Sequence, residues 1–213
     1  MKRAPDLYPK VLEDPKTISL YVKSAGKRGR KIGKKIFARE LAKMGFEKGR
    51  ILDVGCGSGE VIIEMGLAFP KAELVGLDLS EPMLELARMS AEQAGLSERV
   101  SFRIGDAKKM PFEKDFFDVV VSLDTLHVVD KPVAMMDEIE RVLAPNKKLI
   151  LIDTKRSWIA YIMPIFRTAF TDAEAKRVLF ASKLRPWKFA ECFWAWGIII
   201  GGSADTLLKD FWR

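Results

Sequence analysis

From about residue 51 onward the chain alternates between short apolar runs and segments with helical periodicity. The apolar runs, which predict five strands, are 51–54, 73–77, 100–104, 117–123 and 149–152. The helical segments between them run from about 59 to 69, from 80 to 94 and from 130 to about 143. Strands that are apolar throughout and alternate with helices are typical of a parallel sheet covered on both faces. We therefore predict an α/β fold with a Rossmann-like, doubly wound, mostly parallel sheet.

Local signals predict where these elements begin and end. Ser80 is a predicted N-cap, and Gly95 is expected to end the helix that Ser80 opens. Asp130 and Pro132 are expected to open the last helix, and residues 145–146 to form the turn before the fifth strand. Ligands of such sheets bind outside the carboxyl ends of the strands, so we expect the functional residues at those ends.

The segment before the sheet predicts an arm. Residues 1–26 are interrupted by prolines and are expected to be irregular, with at most one short helix. Apolar residues then recur at helical spacing from Gly29 to Met44, with lysines and arginines between them. This pattern predicts an amphipathic helix with one face toward the core.

The segment after Asp153 predicts a closing unit. We expect two helices over 157–170 and 171–184, the first broken by Pro164. Residues 187–196 and 197–202 predict an antiparallel hairpin, which would complete a seven-stranded sheet. The expected organisation is an N-terminal arm and helix at 1–45, a ligand-binding core at 46–153, and a substrate lid with closing strands at 154–213.

Composition narrows the class of protein. Of the 213 residues, 48% are hydrophobic and 31% are charged, which argues against disorder. No apolar run reaches the roughly 18–20 residues that cross a bilayer, and Met1 to Asp6 lack the apolar segment of a signal peptide. Cys56 and Cys192 make neither a disulfide framework nor a metal cluster. We expect a cytoplasmic protein without a metal.

The charge is unevenly distributed. Residues 1–50 contain 15 lysines and arginines against 5 acidic residues, a net charge of +10, whereas the remainder has 21 against 24, a net charge of −3. A basic arm of this kind is suited to nucleic acid, an anionic lipid surface or an acidic substrate, and it is equally typical of a solvated helix face without a partner.

The strongest chemical signal is the glycine-rich segment from Ile51 to Gly59, at the end of the first strand. Glycines at alternate positions allow a tight turn and a ligand lying on bare backbone. A dinucleotide-binding loop would have a glycine at its sixth position, counting Gly55 as the first, and Glu60 stands there instead. Glu60 would repel a phosphate at the helix N-terminus, which favours a ligand without phosphates.

Two further carboxylates follow predicted strands. Asp78 ends the second strand, about 20 positions after the glycine loop, and is suited to accept hydrogen bonds from ribose hydroxyls. Asp106, within Gly105-Asp106-Ala107, follows the third strand and is suited to accept from an exocyclic amine such as that of adenine. Each also has a structural interpretation, as a helix cap for Asp78 and as an ordinary turn for Asp106.

Together these motifs resemble class I S-adenosylmethionine-dependent methyltransferases. The similar segments are the D-x-G-x-G-x-G loop at 53–59, Asp78, 105–107 and 117–122. The segments 126–130 and 140–145 resemble the branch that includes the ubiquinone and menaquinone C-methyltransferases. The resemblance spans about residues 46–153, and it implies S-adenosylmethionine as cofactor and S-adenosylhomocysteine as product.

The resemblance also implies roles for single residues. Gly55, Gly57 and Gly59 would cradle the methionine part of the cofactor, and Asp53 would attract its ammonium. Asp78, with Leu79 beside it, would bind the ribose, while Asp106 and the backbone of Ala107 would bind the adenine. The remaining expected cofactor-binding residues are Cys56, which would pack against the cofactor, and Ser122 and Leu123, which would lie beside the sulfonium.

The chain has one histidine, His127, just beyond the fourth strand. A methyl acceptor with a hydroxyl or an enolic carbon needs a general base, and an unperturbed imidazole pKa of about 6.5 suits that role. His127 is therefore our first candidate catalytic residue and Asp124 a second. The alternative is a loop histidine that hydrogen-bonds the backbone.

Apolar and aromatic residues are dense from Trp158 to Phe170 and from Phe189 to Trp196. They predict a lid over an apolar or lipid-like acceptor, contact with a membrane surface, or an ordinary C-terminal core. Our leading hypothesis is an enzyme that methylates a small molecule. The alternatives are an RNA methyltransferase that uses the basic arm, and a regulatory module that binds the cofactor without catalysis.

Overall fold

The structure, a computed structural model, describes residues 2–4, 13–161 and 164–209. Its strands are β1 (Lys48–Val54), β2 (Lys71–Asp78), β3 (Val100–Ile104), β4 (Phe117–Leu123), β5 (Leu143–Thr154), β6 (Lys188–Glu191) and β7 (Ala195–Ile200). They form one seven-stranded sheet in the order β3-β2-β1-β4-β5-β7-β6. The first five strands pair in parallel, whereas β7 is antiparallel to β5 and to β6. The predicted fold class, including the antiparallel hairpin, is confirmed.

Helices cover both faces of this sheet. They are α1 (Pro15–Ile32), α2 (Arg39–Lys43), α3 (Glu60–Ala68), α4 (Glu81–Gln93), α5 (Pro132–Val142), α6 (Asp172–Ala181) and α7 (Ala204–Leu207), and a π-helical segment (Gly33–Ala38) joins α1 to α2. Side chains alternate along β1, so that Ile51 packs in one buried cluster and Leu52 in the other. The first cluster includes residues of α1, α2 and α3, and the second includes residues of α5 and α6. No helix among the described residues is long and apolar enough to cross a bilayer.

The N-terminal arm contains more helix than we expected from its prolines. Helix α1 begins at Pro15, well before the expected start at Gly29. Asp14 is its N-cap, with a side chain that accepts a hydrogen bond from the backbone N–H of Thr17 at 2.7 Å. An N-cap followed by proline is a helix-start signal, so the expectation that residues 1–26 are largely irregular was wrong over Pro15 to Gly26. Residues 5–12 lie outside the described residues.

Strand β5 is longer than predicted. It begins at Leu143, directly after α5, and runs through the expected turn at residues 145–146. Its pairing with β4 shifts between Phe117–Leu143 and Val119–Lys148, so the intervening residues of β5 form a bulge. The turn signal of Pro145 and Asn146 therefore corresponds to this irregularity in the strand.

The predicted turn of the hairpin was misplaced. It was expected near Gly197, but Gly197 lies inside β7, and the turn joins Glu191 to Ala195. A Cβ built on Gly197 would lie 2.8 Å from the carbonyl oxygen of Leu151 on β5. This glycine is there because two strands approach closely.

The connection between β5 and β6 contains less α-helix than expected. Two 3₁₀ turns, Trp158–Tyr161 and Pro164–Arg167, occupy most of the predicted helix at 157–170. The next predicted helix is present as α6, where Thr171 and Glu174 form a capping box. Helix α5 begins at Pro132, as predicted, but its N-cap is Lys131 and not Asp130.

Candidate functional site

The carboxyl ends of β1 and β4 and the start of α3 surround an open cavity of about 450 Å³, to which α1 contributes one wall. Its lining residues are Arg28, Gly29, Asp53, Gly55, Cys56, Gly57, Glu60, Val61, Leu123 and Asp124. Of the predicted cofactor-binding residues, the cavity brings together Asp53, Gly55, Cys56, Gly57 and Leu123. Of the predicted catalytic residues, Asp124 lines the cavity and His127 is not among its lining residues.

The loop between β1 and α3 needs glycine for both conformation and space. Gly55 has a φ of 73°, in the left-handed region. A Cβ built on it would lie 2.2 Å from Oγ1 of Thr125, closer than any real contact. The backbone N–H groups of Gly55 and Cys56 both donate to the Leu77 carbonyl, at 2.8 and 3.0 Å. The turn is thus tied to β2, and only a residue without a side chain fits at its start.

Asp53 has the most unusual electrostatic environment on the cavity wall. Its carboxyl group is buried, and Oδ2 has no hydrogen-bond partner among the described residues. Burial, together with the negative charges of Asp78 and Glu60, raises the pKa of Asp53 to about 8. A buried carboxylate oxygen without a partner, next to other acids, is suited to receive a cationic group of a ligand.

Cys56 also lines the cavity, and its thiol is expected to be unreactive. Burial, reinforced by Asp53 and Asp78, raises the pKa of its thiol. The thiol therefore stays protonated near neutral pH, which favours a packing role over a redox role.

Asp78 lies at the end of β2 and braces the glycine loop. One carboxylate oxygen accepts from the backbone N–H of Gly57 and the other from that of Ser80, both at 2.9 Å. Burial raises the pKa of Asp78 in spite of these hydrogen bonds. Ser80 is the predicted N-cap of α4, and its Oγ accepts from the N–H of Met83. Leu79, between the two, is 41% exposed.

Asp106 lies in a turn after β3, next to Asp78 in space. The N–H of Gly105 donates to the carbonyl of Asp78 at 2.9 Å. One oxygen of the Asp106 carboxylate accepts from the backbone N–H of Lys108, at 2.9 Å, and the side chain is 39% exposed. Asp106 therefore remains accessible to a ligand, and Ala107 packs against the second core cluster.

The two predicted residues at the end of β4 differ in position. Leu123 lines the cavity. Ser122 is fully buried, and its Oγ donates to the Val54 carbonyl at 2.8 Å. Ser122 thus joins β4 to β1, and it presents no surface to the cavity.

His127 is held by Asp153, a residue that sequence reasoning treated only as the end of the fifth strand. Asp153 is fully buried at the carboxyl end of β5. Its Oδ1 lies 2.5 Å from Nδ1 of His127, and its Oδ2 accepts from the His127 backbone N–H at 2.9 Å. An acidic residue ending an otherwise apolar strand was the signal for this partner, since its charge requires a partner inside the fold.

Asp124 connects this histidine to the cavity. It adopts a φ of 53°, which is unusual for a residue other than glycine. Thr154 donates to one oxygen at 2.7 Å, and Arg28 forms an ion pair with the other. Ligand atoms of Asp124, His127 and Asp153 lie within 4.8 Å of one another, so these three residues are also a possible donor set for a metal ion.

The basic arm reaches the site through two arginines. Arg28 lines the cavity, and the guanidinium of Arg3 donates to the backbone carbonyl of His127 at 2.6 Å. Other basic residues of α1, among them Lys27, Arg30 and Lys31, are exposed to solvent. Part of the charge of the arm thus belongs to the site, and part of it forms a solvated face.

An aromatic cluster of Trp158, Phe193 and Trp194 lies at the same edge of the sheet. Phe193 and Trp194 are in the turn between β6 and β7, beside the end of β5. The rings of Phe193 and Trp194 meet edge to face at 4.8 Å, and those of Trp158 and Phe193 are 6.5 Å apart. Trp158 is 57% exposed and Phe193 is 51% exposed, so this cluster offers apolar surface to a ligand.

Comparison with known proteins gives a family match and a set of curated relatives. The family model described as "Methyltransferase domain" matches residues 46–187. A demethylmenaquinone methyltransferase of Lactiplantibacillus plantarum is 36% identical over 124 residues, which cover 57% of this chain and 52% of the relative. One of Staphylococcus aureus is 32% identical over 149 residues, covering 64% and 61%. The chain thus spans between half and two thirds of the length of these relatives.

Solved structures agree on the fold. A SAM dependent methyltransferase from Aquifex aeolicus has a TM-score of 0.71 at 20% identity, covering 88% of this chain and 98% of that one. The geranyl diphosphate C-methyltransferase of Streptomyces coelicolor has a TM-score of 0.63 at 18% identity, covering 73% and 59%. At these identities the likeness supports the fold alone.

Proposed function

The chain belongs to the methyltransferase domain family, and from this premise we propose that it transfers a methyl group from S-adenosylmethionine to a small, apolar or aromatic acceptor. The observation that carries the proposal is the buried Oδ2 of Asp53, which has no hydrogen-bond partner within the part of the chain that the structure describes, in a cavity lined by glycine backbone. It supports a cationic, phosphate-free ligand, because Asp53 offers an acceptor to a cation while Glu60 and Asp78 would repel a phosphate.

The residues present fit this cofactor part by part. When bound, the cofactor supplies an activated methyl group on a positively charged sulfur. Asp53 would bind its ammonium, and the backbone at Gly55, Gly57 and Gly59 would leave room for its methionine part. Asp78 would accept hydrogen bonds from the ribose, with Leu79 alongside, and Asp106 and Ala107 would bind the adenine.

We assign general-base chemistry to His127, for an acceptor with a hydroxyl or an enolic carbon. Asp153 accepts from Nδ1–H and so keeps Nε2 unprotonated and able to take a proton from the acceptor. The same carboxylate would stabilise the imidazolium that forms when the proton arrives. Asp124 is the weaker candidate, because both of its oxygens are already bonded, to Arg28 and Thr154.

The chemistry proposed here needs no metal. The possible donor set of Asp124, His127 and Asp153 is internally satisfied: Asp153 binds His127, and Asp124 binds Arg28 and Thr154. A metal ion would have to displace an arginine and a histidine proton. Turnover should therefore be the same with and without a chelator such as EDTA, and a loss restored by Mg²⁺ would contradict this part of the proposal.

The acceptor class rests on the aromatic cluster and on the relatives. Trp158 and Phe193 offer exposed rings at the same edge of the sheet as the cavity, and ring stacking suits a planar, apolar acceptor. The curated relatives are named for demethylmenaquinone. We therefore propose a quinone precursor or a lipid-like molecule as acceptor, with the aromatic cluster touching the membrane that holds such a molecule. The free cysteines, Cys56 and Cys192, agree with action in the cytoplasm.

The test is a transfer assay with methyl-labelled S-adenosylmethionine. The purified protein is incubated with a reduced demethylated naphthoquinone in detergent micelles or, in parallel, with total RNA, and label is counted in the organic and aqueous phases. Label in the organic phase supports the proposal, and label in RNA would overturn the acceptor class. Calorimetry that detects no binding of S-adenosylmethionine would overturn the function itself, and binding without transfer to any acceptor would indicate a regulatory module.

A further inference from the structure

The cavity wall contains more acidic than basic side chains, and its one basic side chain has no role in the function proposed above. Asp53, Glu60 and Asp124 contribute three carboxyl groups to its wall, and Arg28 is the one basic residue among the lining residues described. Arg28 comes from α1, which lies before the segment that matches the family model.

Close packing of α1 on α3 brings Arg28 to this place. A Cβ built on Gly26 would lie 2.8 Å from Oε1 of Glu60, and one on Gly29 would lie 3.1 Å from Cβ of Glu60. One turn further along, a Cβ on Gly33 would lie 3.3 Å from the Cα of Val61. Larger residues at Gly29 and Gly33 would push α1 away from α3, whereas at Gly26 the end of the Glu60 side chain could move aside. Their absence lets the helix lie close enough for Arg28 to form its ion pair with Asp124 across the cavity.

We propose that Arg28 binds the carboxylate of the cofactor's methionine part and exchanges Asp124 for it. This inference rests on the proposed function. The amino-acid end of S-adenosylmethionine carries an ammonium and a carboxylate on the same carbon. Asp53 suits the ammonium, but the carboxylate would then lie among acids and be repelled. A guanidinium is the side chain that pairs with a carboxylate through two parallel hydrogen bonds.

The exchange links cofactor binding to the rest of the site. In the structure, Arg28 is paired with Asp124, which neighbours Leu123 on the cavity wall and has a carboxylate oxygen within 4.8 Å of a ring nitrogen of His127. When Arg28 turns to the cofactor, the Asp124 carboxylate is left with Thr154 alone and becomes available beside the acceptor. Binding of the cofactor's carboxylate by Arg28 would thus also free the Asp124 carboxylate on the acceptor side of the site.

The experiment compares two ligands that differ only in the carboxylate. Affinities of S-adenosylhomocysteine and of its decarboxylated analogue, S-adenosyl-3-thiopropylamine, are measured by calorimetry for the wild type, Arg28→Gln and Arg30→Gln. Arg30 is exposed on the same helix, so its variant matches the charge change without touching the cavity. We expect Arg28→Gln to lower the affinity for S-adenosylhomocysteine by at least about tenfold and the affinity for the analogue by less than about twofold. Arg30→Gln should change neither affinity.

A second variant tests the exchange independently. Asp124→Asn removes the competing carboxylate, and asparagine tolerates the positive φ at this position. S-adenosylhomocysteine should then bind severalfold more tightly, while the analogue should bind as before. Equal losses for both ligands in Arg28→Gln, no loss, or an unchanged affinity in Asp124→Asn would overturn the inference. A wild type that binds neither ligand would overturn the proposed function instead.

Discussion

Both oxygens of the buried Asp153 carboxylate hold His127: Oδ1 lies 2.5 Å from the ring Nδ1, and Oδ2 accepts from the backbone N–H at 2.9 Å. The two contacts fix the position of the residue and the orientation of its ring. Asp153 is thus a positioning residue, and His127 is the group proposed to meet the acceptor. Variants of the two residues distinguish a general base from a loop histidine that only hydrogen-bonds the backbone, because the two interpretations predict different turnover.

His127→Ala should lower turnover by about 10²- to 10⁴-fold if the acceptor requires a base. Cofactor affinity should stay within about twofold of the wild type, because the imidazole lies outside the cavity lining. Single-turnover transfer of labelled methyl groups and calorimetry with S-adenosylhomocysteine measure the two quantities. Full turnover in this variant would remove His127 from the mechanism.

Asp153→Asn should lower turnover less than His127→Ala does. The amide keeps the size of the carboxylate but loses its charge, so it stabilises less well the imidazolium that forms when the ring takes up a proton. The double variant should be no slower than His127→Ala alone, because both changes act through one group. Additive losses would mean that Asp153 acts only on the fold, and a thermal denaturation midpoint for each variant provides that control.

The raised pKa of Asp53 leads us to expect that binding of the cofactor releases a proton. With a pKa of about 8 the carboxyl group is largely protonated at pH 7 in the ligand-free protein. The ammonium requires the ionised form, so affinity should rise with pH, by up to about tenfold per unit below pH 8. Calorimetry at pH 7 in two buffers with different ionisation enthalpies should show the released proton as a buffer-dependent heat.

Asp53→Asn should abolish this buffer dependence and weaken binding. The same substitution should also stabilise the ligand-free protein at alkaline pH. A carboxyl group whose pKa is raised on folding lowers stability as pH rises from about 4, its unfolded value, toward 8. The variant lacks that loss, so the difference in melting temperature should be larger at pH 8 than at pH 5. An equal difference at both pH values would contradict the electrostatic environment described for Asp53.

Asp78→Ala should weaken cofactor binding by more than tenfold. The ribose would lose an acceptor, and the Gly57 and Ser80 N–H groups would lose theirs as well. Adenosine retains the ribose but lacks the methionine part, so its binding separates the contribution of Asp78 from that of Asp53. Its affinity should fall in this variant and should not change in Asp53→Asn. If calorimetry finds the affinity of adenosine unaltered in Asp78→Ala, the ribose assignment is wrong.

Local signals in the sequence predicted the sheet and the glycine loop, because the residues that determine them are neighbours in the chain. The strand at 51–54 and the glycines after it sit where the pattern indicated. The ion pair of Arg28 and Asp124 joins residues 96 positions apart, and Asp153 is 26 positions from His127. Such contacts depend on the packing of α1 on α3 and on the order of strands, which periodicity does not encode.

The same distinction explains the misplaced turn at Gly197. A glycine after an apolar run reads locally as a turn. Here it marks the close approach of β7 to Leu151 of β5, a strand more than 40 residues earlier in the chain. The hairpin itself was predicted correctly from the density of apolar and aromatic residues over 187–200. The position of its turn depended on the pairing of β7 with β5, which the sequence does not identify.

We expect the aromatic cluster to contribute to binding of the acceptor and not to binding of the cofactor. Replacing Trp158 and Phe193 together by serine removes exposed rings at the edge where the acceptor would enter. Each aromatic side chain that contacts a ligand contributes on the order of 1–2 kcal/mol, so KM for an apolar acceptor should rise by about tenfold or more. Affinity for S-adenosylhomocysteine should be unaltered, because neither residue lines the cavity.

Leu67→Ser provides the matched control for that variant. Leu67 is 56% exposed near the end of α3, which runs from the carboxyl edge of the sheet toward the opposite edge. Its replacement removes a similar exposed apolar group away from the site, so KM should not change. Sedimentation with vesicles of anionic phospholipid then separates acceptor contact from membrane contact. If the double variant loses vesicle binding but keeps its KM for an acceptor in detergent micelles, the cluster docks on the membrane and is not a wall of the acceptor site.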